Sequence, residues 1–487
     1  MVARISTAAA VVLLVGMITP AAAPVEVGLA APNTSAAMPY DFDGDGYADL
    51  AIGVPTEDVG SIKDAGAVQI LFGSATGPTA RDQLWHQNRK GIRDRAERGD
   101  EFGYRLASGD FDADGYADLA VGVPREGLGG RRLSLAGVVQ VLYGGPRGLT
   151  DRDQVWHQDK SGVPGKNGRG DFFGSALAVG DFEGDGYADL VIEVGGEGRA
   201  VILRGSDGGL TGTGAQRWKS SGTVLATGDF NKDGRDDLAV DDLGNTITVL
   251  VGSANGLTTS GAQTFSRTDI SSKVIGLGST VAGDFNADGS DDLVIRLEET
   301  SLGGPGGDVA VLYARSDGFR PKAAELWSLD PARLPGTGSY GDGFGTTMAV
   351  GDLTGDGIED LAIGALGYQP APAAFVLSGS PSGLQATKVA ISQSDPAVPG
   401  AVESFDRFTI SMIALPFAGG PTSWLAIGDP KDTVGSIPRA GAVTVFPGSP
   451  TGPIAEAGIM WNQNSRGVKE SAAAGDRFGR LHGFVNP

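Results

Sequence analysis

Short runs of branched aliphatic residues recur along the chain, separated by stretches rich in Gly, Asp, Ser and Pro. One set reads Leu-Ala-Ile or close to it: Leu50–Gly53, Leu119–Gly122, Leu190–Ile192, Leu238–Val240, Leu293–Ile295, Leu361–Gly364 and Leu425–Gly428. A second set is rich in β-branched residues: Ala67–Phe72, Val138–Tyr143, Ala200–Leu203, Thr246–Val251, Val309–Tyr313, Phe375–Leu377 and Ala442–Phe446. Each is followed by a turn whose second Gly falls at Gly77, Gly148, Gly209, Gly256, Gly318, Gly383 or Gly452. A tight reversal there needs the positive φ that glycine adopts without penalty. Beyond the turn comes a stretch carrying Trp85, Trp156, Trp218, Trp327 or Trp461. Runs this short and this β-branched predict strands rather than helices.

Ahead of several Leu-Ala-Ile runs stands a Phe-Gly pair: Phe102-Gly103, Phe173-Gly174, Phe344-Gly345 and Phe478-Gly479. The repeating unit is then a Phe-Gly strand, a Leu-Ala-Ile strand, a Val-rich strand, a Gly turn and a Trp strand. Four antiparallel strands at this period predict a blade of a β-propeller. Residues 40–487 hold seven such units. The first lacks a Phe-Gly strand, and Phe478-Gly479 stands as a surplus one at the other end. The expected architecture is therefore an all-β, seven-bladed propeller in which the C-terminal strand completes blade one and closes the ring. An open β-solenoid, the competing architecture, needs no such exchange.

Between the first and second strands of six units lies an acidic loop, beginning at Asp41, Asp110, Asp181, Asp229, Asp284 and Asp352. Calcium takes six to eight hard oxygen ligands, and carboxylates at alternate positions around a Gly-assisted turn supply them as in an EF-hand loop. That spacing makes Asp41, Asp43, Asp45, the Tyr47 carbonyl and Asp49 the candidate ligands of the first loop. Asp110, Asp112, Asp114, the Tyr116 carbonyl and Asp118 follow in the second, and Asp181, Glu183, Asp185, the Tyr187 carbonyl and Asp189 in the third. Loops four and five exchange one carboxylate for Asn: Asp229, Asn231, Asp233, Arg235 and Asp237, then Asp284, Asn286, Asp288, Ser290 and Asp292, with the seventh residue again offering its carbonyl. Loop six has Asp352, Thr354, Asp356, Ile358 and Asp360, and the neutral Thr oxygen predicts its weakest site. Phe417-Ala418-Gly419 stands at the equivalent place in unit seven and should bind nothing. The expected role is structural, with the ion tying strands of a blade together, and magnesium suits it less because it keeps its waters.

Composition agrees with this reading. There are 79 Gly and 26 Pro in 487 residues, with 40% hydrophobic content, so turns are abundant and a core is available. The formal charge of −21 argues against nucleic-acid binding. Six divalent ions would bring it to −9. Cysteine is absent, which removes disulfides and thiolate chemistry, and three His make a His-rich metal site improbable. Residues 1–30 read as an export signal, with Arg4, an apolar run from Ala8 to Ile18 and small residues at Ala21–Ala23, followed by a short linker over 31–39. The expected location is extracellular, with no transmembrane segment in the mature chain.

The units resemble FG-GAP repeats, the repeats of the integrin α-subunit head. The name-giving residues are Phe102-Gly103 with Gly122-Val123-Pro124, and Phe344-Gly345 with Gly364-Ala365. The resemblance implies the propeller fold, calcium binding and an extracellular binding or adhesion role without catalysis. Two other functions fit the same pattern: a carbohydrate-binding lectin, with repeated pockets between blades, and a propeller hydrolase or lyase, with an unrepeated acidic or His cluster. The repetition of the chemically distinctive residues favours binding over catalysis. The expected partner is an unidentified extracellular protein or glycan, and the expected state is a monomer.

Some signals have plain explanations. Arg98-Gly99-Asp100 and Arg169-Gly170-Asp171 are adhesive-looking tripeptides, yet Gly-Asp recurs before Phe-Gly without the Arg at Gly341-Asp342 and Gly475-Asp476. His86 and His157 follow Trp85 and Trp156 in the same slot, which predicts packing or a local hydrogen bond. In up-and-down blades the acidic loops and Gly turns share one face. The longer connections, carrying Arg89, Lys90, Arg93, Arg95, Arg98, Arg125, Arg131, Arg132, Lys160 and Lys166, fall on the other and predict a basic surface for an anionic glycan or protein.

Overall fold

The computed structural model describes residues 37–129, 133–220, 225–242, 246–272, 274–299, 308–329, 333–334, 338–339, 341–403 and 406–481. The export-signal reading and the basic pair Arg131 and Arg132 lie outside them. The described strands form seven separate antiparallel sheets, each built from strands consecutive in sequence. Blade one comprises Leu50–Val54, Ala67–Leu71 and Asp82–Trp85, and blade two Arg105–Gly109, Asp118–Val123, Val138–Leu142 and Asp153–Trp156. Blade three runs from Phe173–Gly180 to Thr211–Lys219, blade four from Leu225–Gly228 to Thr258–Ser266, and blade five from Val274–Gly283 to Glu325–Trp327. Blade six spans Phe344–Gly351 to Gln385–Ser392, and blade seven Ser411–Leu415 to Ile459–Trp461. Short helical turns at Arg267–Ile270, Pro321–Ala323 and Ala455–Ala457 are the described exceptions to an all-β chain.

Blade one acquires its fourth strand from the far end of the sequence. Gly53 exchanges both backbone hydrogen bonds with Arg480, at 2.7 and 3.2 Å, in antiparallel pairing. Phe478 is fully buried in the same cluster as Phe102, Ile52 and Val443, which belong to blades two, one and seven. The ring is thus closed as the repeat arithmetic requires, and the exposed edge of Leu50–Val54 is removed.

The hydrophobic core lies between blades rather than within any one. A cluster including Leu50, Leu71, Leu119, Leu142, Ile413 and Val445 draws from blades one, two and seven. Each acidic loop contributes its second residue: Phe42, Phe111, Phe182, Phe285 and Leu353 are fully buried and Phe230 is 4% exposed, and Phe417 is fully buried at the equivalent place in unit seven. Burying one such side chain stabilises by roughly 1.5–3 kcal/mol. The seven Gly turns have φ between +87 and +100°, which is why the sequence places glycine there. The first strand of each of blades two to seven lines a central channel of about 350 Å³, with Pro39 and Tyr40 standing at blade one.

One buried charge strains this packing. Glu193, on Asp189–Val194, is 1% exposed. Burial pushes its carboxyl up to about 8, the Ser220 hydroxyl bond opposes this, and Asp241 of blade four adds to it. A carboxyl whose folded value exceeds the unfolded one of about 4.5 favours folding fully only below that value. The benefit is lost as pH rises through about 8. Glu193→Gln should therefore raise stability at pH 9 by on the order of a few kcal/mol and change it little at pH 4.5, read from urea unfolding at both pH values. Equal effects at both would contradict the burial of an ionisable charge.

Candidate metal-binding loops

The six acidic loops share one hydrogen-bond scheme. In the first, the first-position Asp41 accepts the amides of Asp45 and Gly46 at 3.1 and 2.9 Å. Asp45 in turn accepts the amide of Tyr47 at 3.1 Å. Asp49 closes the loop, accepting the Phe42 amide at 3.1 Å and the Gly73 amide at 2.9 Å, so one carboxylate binds the loop to the start of the Gly turn. The second loop repeats this with Asp110, Asp114 and Asp118, and the third with Asp181, Asp185 and Asp189. In loops four to six Asp229, Asp284 and Asp352 hold the fifth- and sixth-position amides. Asp233, Asp288 and Asp356 hold the amides of Arg235, Ser290 and Ile358. Asp237, Asp292 and Asp360 hold those of Gly252, Ala314 and Gly379. The sixth residue is always Gly with φ of +82 to +88°, a conformation side chains resist.

The ninth-position aspartates are at most 1% exposed. Burial, reinforced by neighbouring carboxylates, raises Asp49 and Asp292 to about 8, Asp189 to about 9, Asp237 to about 7 and Asp360 to about 6, and holds Asp118 well above the carboxylate range. In loops one and two, carboxylate oxygens of Asp41, Asp43 and Asp45, and of Asp110, Asp112 and Asp114, converge within 4.8 Å of one another. Asp43 Oδ1 and Asp112 Oδ1 are buried without a hydrogen-bond partner. Convergent hard oxygens with one buried lone pair left over are a donor set that fits a hard divalent cation.

The third position differs between loops. Arg81 pairs with Asp43 at 2.6 Å and stacks on Phe72, and Arg152 pairs with Asp112 and stacks on Tyr143. Arg204 holds Glu183 at 2.9 Å. In loops four and five, Asn231 and Asn286 donate to Asp237 and Asp292 at 3.1 and 3.4 Å. In loop six the Thr354 amide donates to Asp360 at 2.7 Å. Sequence reasoning missed the arginines, although Arg81 and Arg152 precede the same Asp-Gln pair in successive units.

It also missed the eighth position. The first carbonyl of a loop accepts the eighth amide of the next: Ala117 to Asp41, Ala188 to Asp110, Asp236 to Asp181 and Asp291 to Asp229, each at 3.0 Å. In blades four to six the eighth side chain reciprocates. Asp236, Asp291 and Glu359 accept the first-position amides of Asp181, Asp229 and Asp284 at 2.8 to 2.9 Å. The second-position carbonyl accepts from the next Gly turn, as Gly145 to Phe42 at 3.1 Å. Loops and turns therefore share one face, as expected, and the loop joins adjacent blades as well as strands of its own. Unit seven keeps the backbone scheme without the acids: Ser423 donates to Asp352, and Ala48 to Pro416.

On the opposite face the anticipated basic surface is partly spent. Arg89 lies over Trp85 at 3.8 Å, Arg93 pairs with Asp153 at 3.5 Å, and Arg125 pairs with Glu101 at 3.3 Å. Lys90, Arg95, Arg98, Lys160 and Lys166 are exposed. Asp100 and Asp171 of the two adhesive-looking tripeptides are 3% and 8% exposed and accept backbone amides three residues upstream, so their carboxylates turn inward. His157 Nδ1 meets Asn167 Nδ2 at 3.0 Å, a local bond.

A family profile for the FG-GAP repeat matches residues 33–71, 102–142, 173–215 and 344–376. The chain carries FG-GAP repeats. Among curated relatives, integrin alpha-PS2 of Drosophila melanogaster is 37% identical over 161 residues, covering 31% of this chain and 10% of the relative. Phosphatidylinositol-glycan-specific phospholipase D of Rattus norvegicus is 32% identical over 168 residues, covering 33% of this chain and 19% of the relative. Integrin alpha-4 of Xenopus laevis is 32% identical over 167 residues, covering 34% and 14%. Each match spans less than a fifth of the relative's own length. The FG-GAP units thus form a seven-bladed propeller similar to integrin α heads and consistent with a binding module.

The scheme separates two kinds of carboxylate. Asp49→Ala strands two buried amides, so it should cost roughly 2–4 kcal/mol even in chelator. Asp43→Ala gives up only the half-exposed Arg81 pair and should cost under about 1 kcal/mol there. Urea unfolding in excess chelator measures both, and equal losses would contradict the division.

Proposed function

We propose that this protein is an exported, calcium-loaded FG-GAP propeller that acts as an extracellular binding module rather than as an enzyme. The observation that carries the calcium reading is the convergence of Asp41, Asp43 and Asp45, and of Asp110, Asp112 and Asp114, around the orphaned oxygens of Asp43 and Asp112. The remaining ligands would be Asp49 and the Tyr47 carbonyl, Asp118 and the Tyr116 carbonyl, and the matching residues of loops three to six. Loops one and two, with three convergent carboxylates each, are the strongest candidates. Loop six, with Thr354 at its third position, is the weakest. A bound ion would neutralise buried carboxylates whose mutual repulsion opposes folding.

Export is supported by the Arg4 start and the apolar run Ala8–Ile18. No helix among the described residues is long and apolar enough to cross a membrane. The non-enzymatic reading is supported by the recurrence of the acidic side chains blade after blade, at positions that hold backbone amides. A phospholipase D stands among the relatives, but the match covers 19% of it. The partner we assign is an anionic glycan or protein, met by the exposed Lys90, Arg95 and Arg98 on the face opposite the loops, by a monomeric propeller.

Thermal unfolding of the mature protein tests the calcium reading. Calcium at a hundredfold excess over its dissociation constant should stabilise by ~2.7 kcal/mol per site, chelator should remove this, and magnesium should restore less of it. An unchanged Tm in chelator would sink it. Retention on immobilised heparin tests the partner. The triple change Lys90→Ala, Arg95→Ala, Arg98→Ala should abolish it, and retention of the variant, or none of the parent, would refute the anionic ligand.

A further inference from the structure

Four basic side chains gather on the face opposite the acidic loops, around the hairpin of blade seven and its seam with blade one. Residues 430–441 join strands Trp424–Asp429 and Ala442–Phe446 and carry Lys431 and Arg439. Arg407 leads into Ser411–Leu415, and Arg477 stands in the C-terminal stretch that completes blade one. The backbone draws the four together. The amides of Arg407 and Lys431 both donate to Asp429 Oδ1, each at 3.1 Å. The Gly441 amide donates to the Asp432 carbonyl at 3.0 Å, which sets the two ends of the hairpin side by side. The Arg477 amide donates to the Arg439 carbonyl at 3.2 Å. Arg439 is exposed, and the other three are half-buried.

With 59 acidic side chains for 38 basic ones, a cation on this chain has no shortage of partners. Arg81 takes Asp43, Arg204 takes Glu183 and Arg333 takes Glu325. Among the described residues the side chains of Arg407, Lys431, Arg439 and Arg477 make no ion pair or hydrogen bond. Burial pushes the Lys431 ammonium down, and the charges of Arg407, Arg439 and Arg477 push it further, against Asp429. Asp429 is 2% exposed and spends one oxygen on the two amides. Glu101, the acid nearest Arg477 on the side of blade two, pairs with Arg125 at 3.3 Å.

The fold does not ask for these charges. The bond from Arg477 to Arg439 recurs as Glu101 to Asp64 at 3.3 Å and as Phe172 to Leu135 at 3.0 Å. All six residues have φ of +52 to +61°. One backbone arrangement thus carries two acids at one seam, two apolar side chains at the next and two arginines here. Side chains that change on a fixed scaffold are free to serve recognition.

We propose that this patch binds a phosphate group, with Arg407, Arg439 and Arg477 offering guanidinium forks to its oxygens and Lys431 a point charge. Guanidinium matches the geometry of phosphate, and mutual repulsion among unpaired cations is relieved when a dianion enters. A compact dianion fits better than an extended polyanion. The cations close round one hairpin, Glu101 borders them, and the chain's charge of −21 repels a long anion that runs beyond them. The site is separate from Lys90, Arg95 and Arg98 and does not rest on the partner assigned to them.

Equilibrium dialysis of the whole protein against radiolabelled inorganic phosphate, at low ionic strength and low free calcium, tests this. The parent should bind phosphate, and added sodium chloride should weaken the binding. Arg439→Gly with Arg477→Gly removes two charges where the positive φ already suits glycine, and should weaken it by at least ~10-fold. The variant with Lys90→Ala, Arg95→Ala and Arg98→Ala should bind as the parent does. Flotation with vesicles of phosphatidic acid in phosphatidylcholine separates the sources. Vesicle binding lost in the double glycine variant supports a phosphate on a lipid headgroup, and phosphate binding without flotation supports one on a soluble molecule. No phosphate bound by the parent would overturn the proposal, as would parental affinity in the double glycine variant. An equal loss in the triple alanine variant would also overturn it, since a diffuse field and not a site would then be at work. Should the double glycine variant fail to fold, Lys431→Gln decides: it should lose affinity several-fold, and parental affinity would overturn the site.

Discussion

The carbonyl oxygen of the first residue in one acidic loop accepts the amide of the eighth residue in the next, and the stacking of the blades depends on that bond. It recurs from Asp41 to Ala117, from Asp110 to Ala188 and from Asp181 to Asp236, and it survives at Pro416 where the acids are gone. The second residue buries its side chain between blades and gives its carbonyl to the next Gly turn. A loop that satisfies its neighbour's backbone must keep one shape. The inward carboxylates at positions one, five and nine hold that shape by accepting its amides. In loops one and two the first and fifth of these then sit close to the third-position carboxylate, an arrangement that suits a cation. The donor set proposed for a cation thus arises from a backbone problem solved with carboxylates.

Much of this was legible in the chain. The blade count, the shared face of loops and turns, the positive φ at Gly77 and its six counterparts, and the exchange that brings Phe478 back to blade one all follow from features that repeat. The acidic loops were legible as well, because side chains at alternate positions are local in sequence. The structure brings the first three carboxylates together in loops one and two, whereas in loop three the third-position Glu183 is held by Arg204 and in loops four to six Asn231, Asn286 and Thr354 bond to the ninth-position aspartate.

What stayed hidden lies between repeats. Asp236, Asp291 and Glu359 look like surplus acids beside the ninth position, and only the neighbouring blade shows that each holds a first-position amide. Arg93 and Arg125 read as free basic groups until their partners Asp153 and Glu101 are seen. Gln87 and Glu126 belong to different units, and their bond, repeated by Gln158 and Glu197 one blade on, shows only once the blades stand side by side. Composition reports charge, but not which charges face each other across a seam.

Closure by Arg480 has a consequence for how the chain is made. Its partner Gly53 leaves the ribosome more than four hundred residues earlier. Until the last stretch is delivered, Leu50–Val54 offers an unpaired, fully apolar strand edge, open to any other extended segment. The six later blades can stack in order of synthesis, each on its predecessor, but the ring becomes edgeless only at the end. A nascent chain of this kind has a single long interval of vulnerability to strand capture, and a truncated product would keep that vulnerability for life.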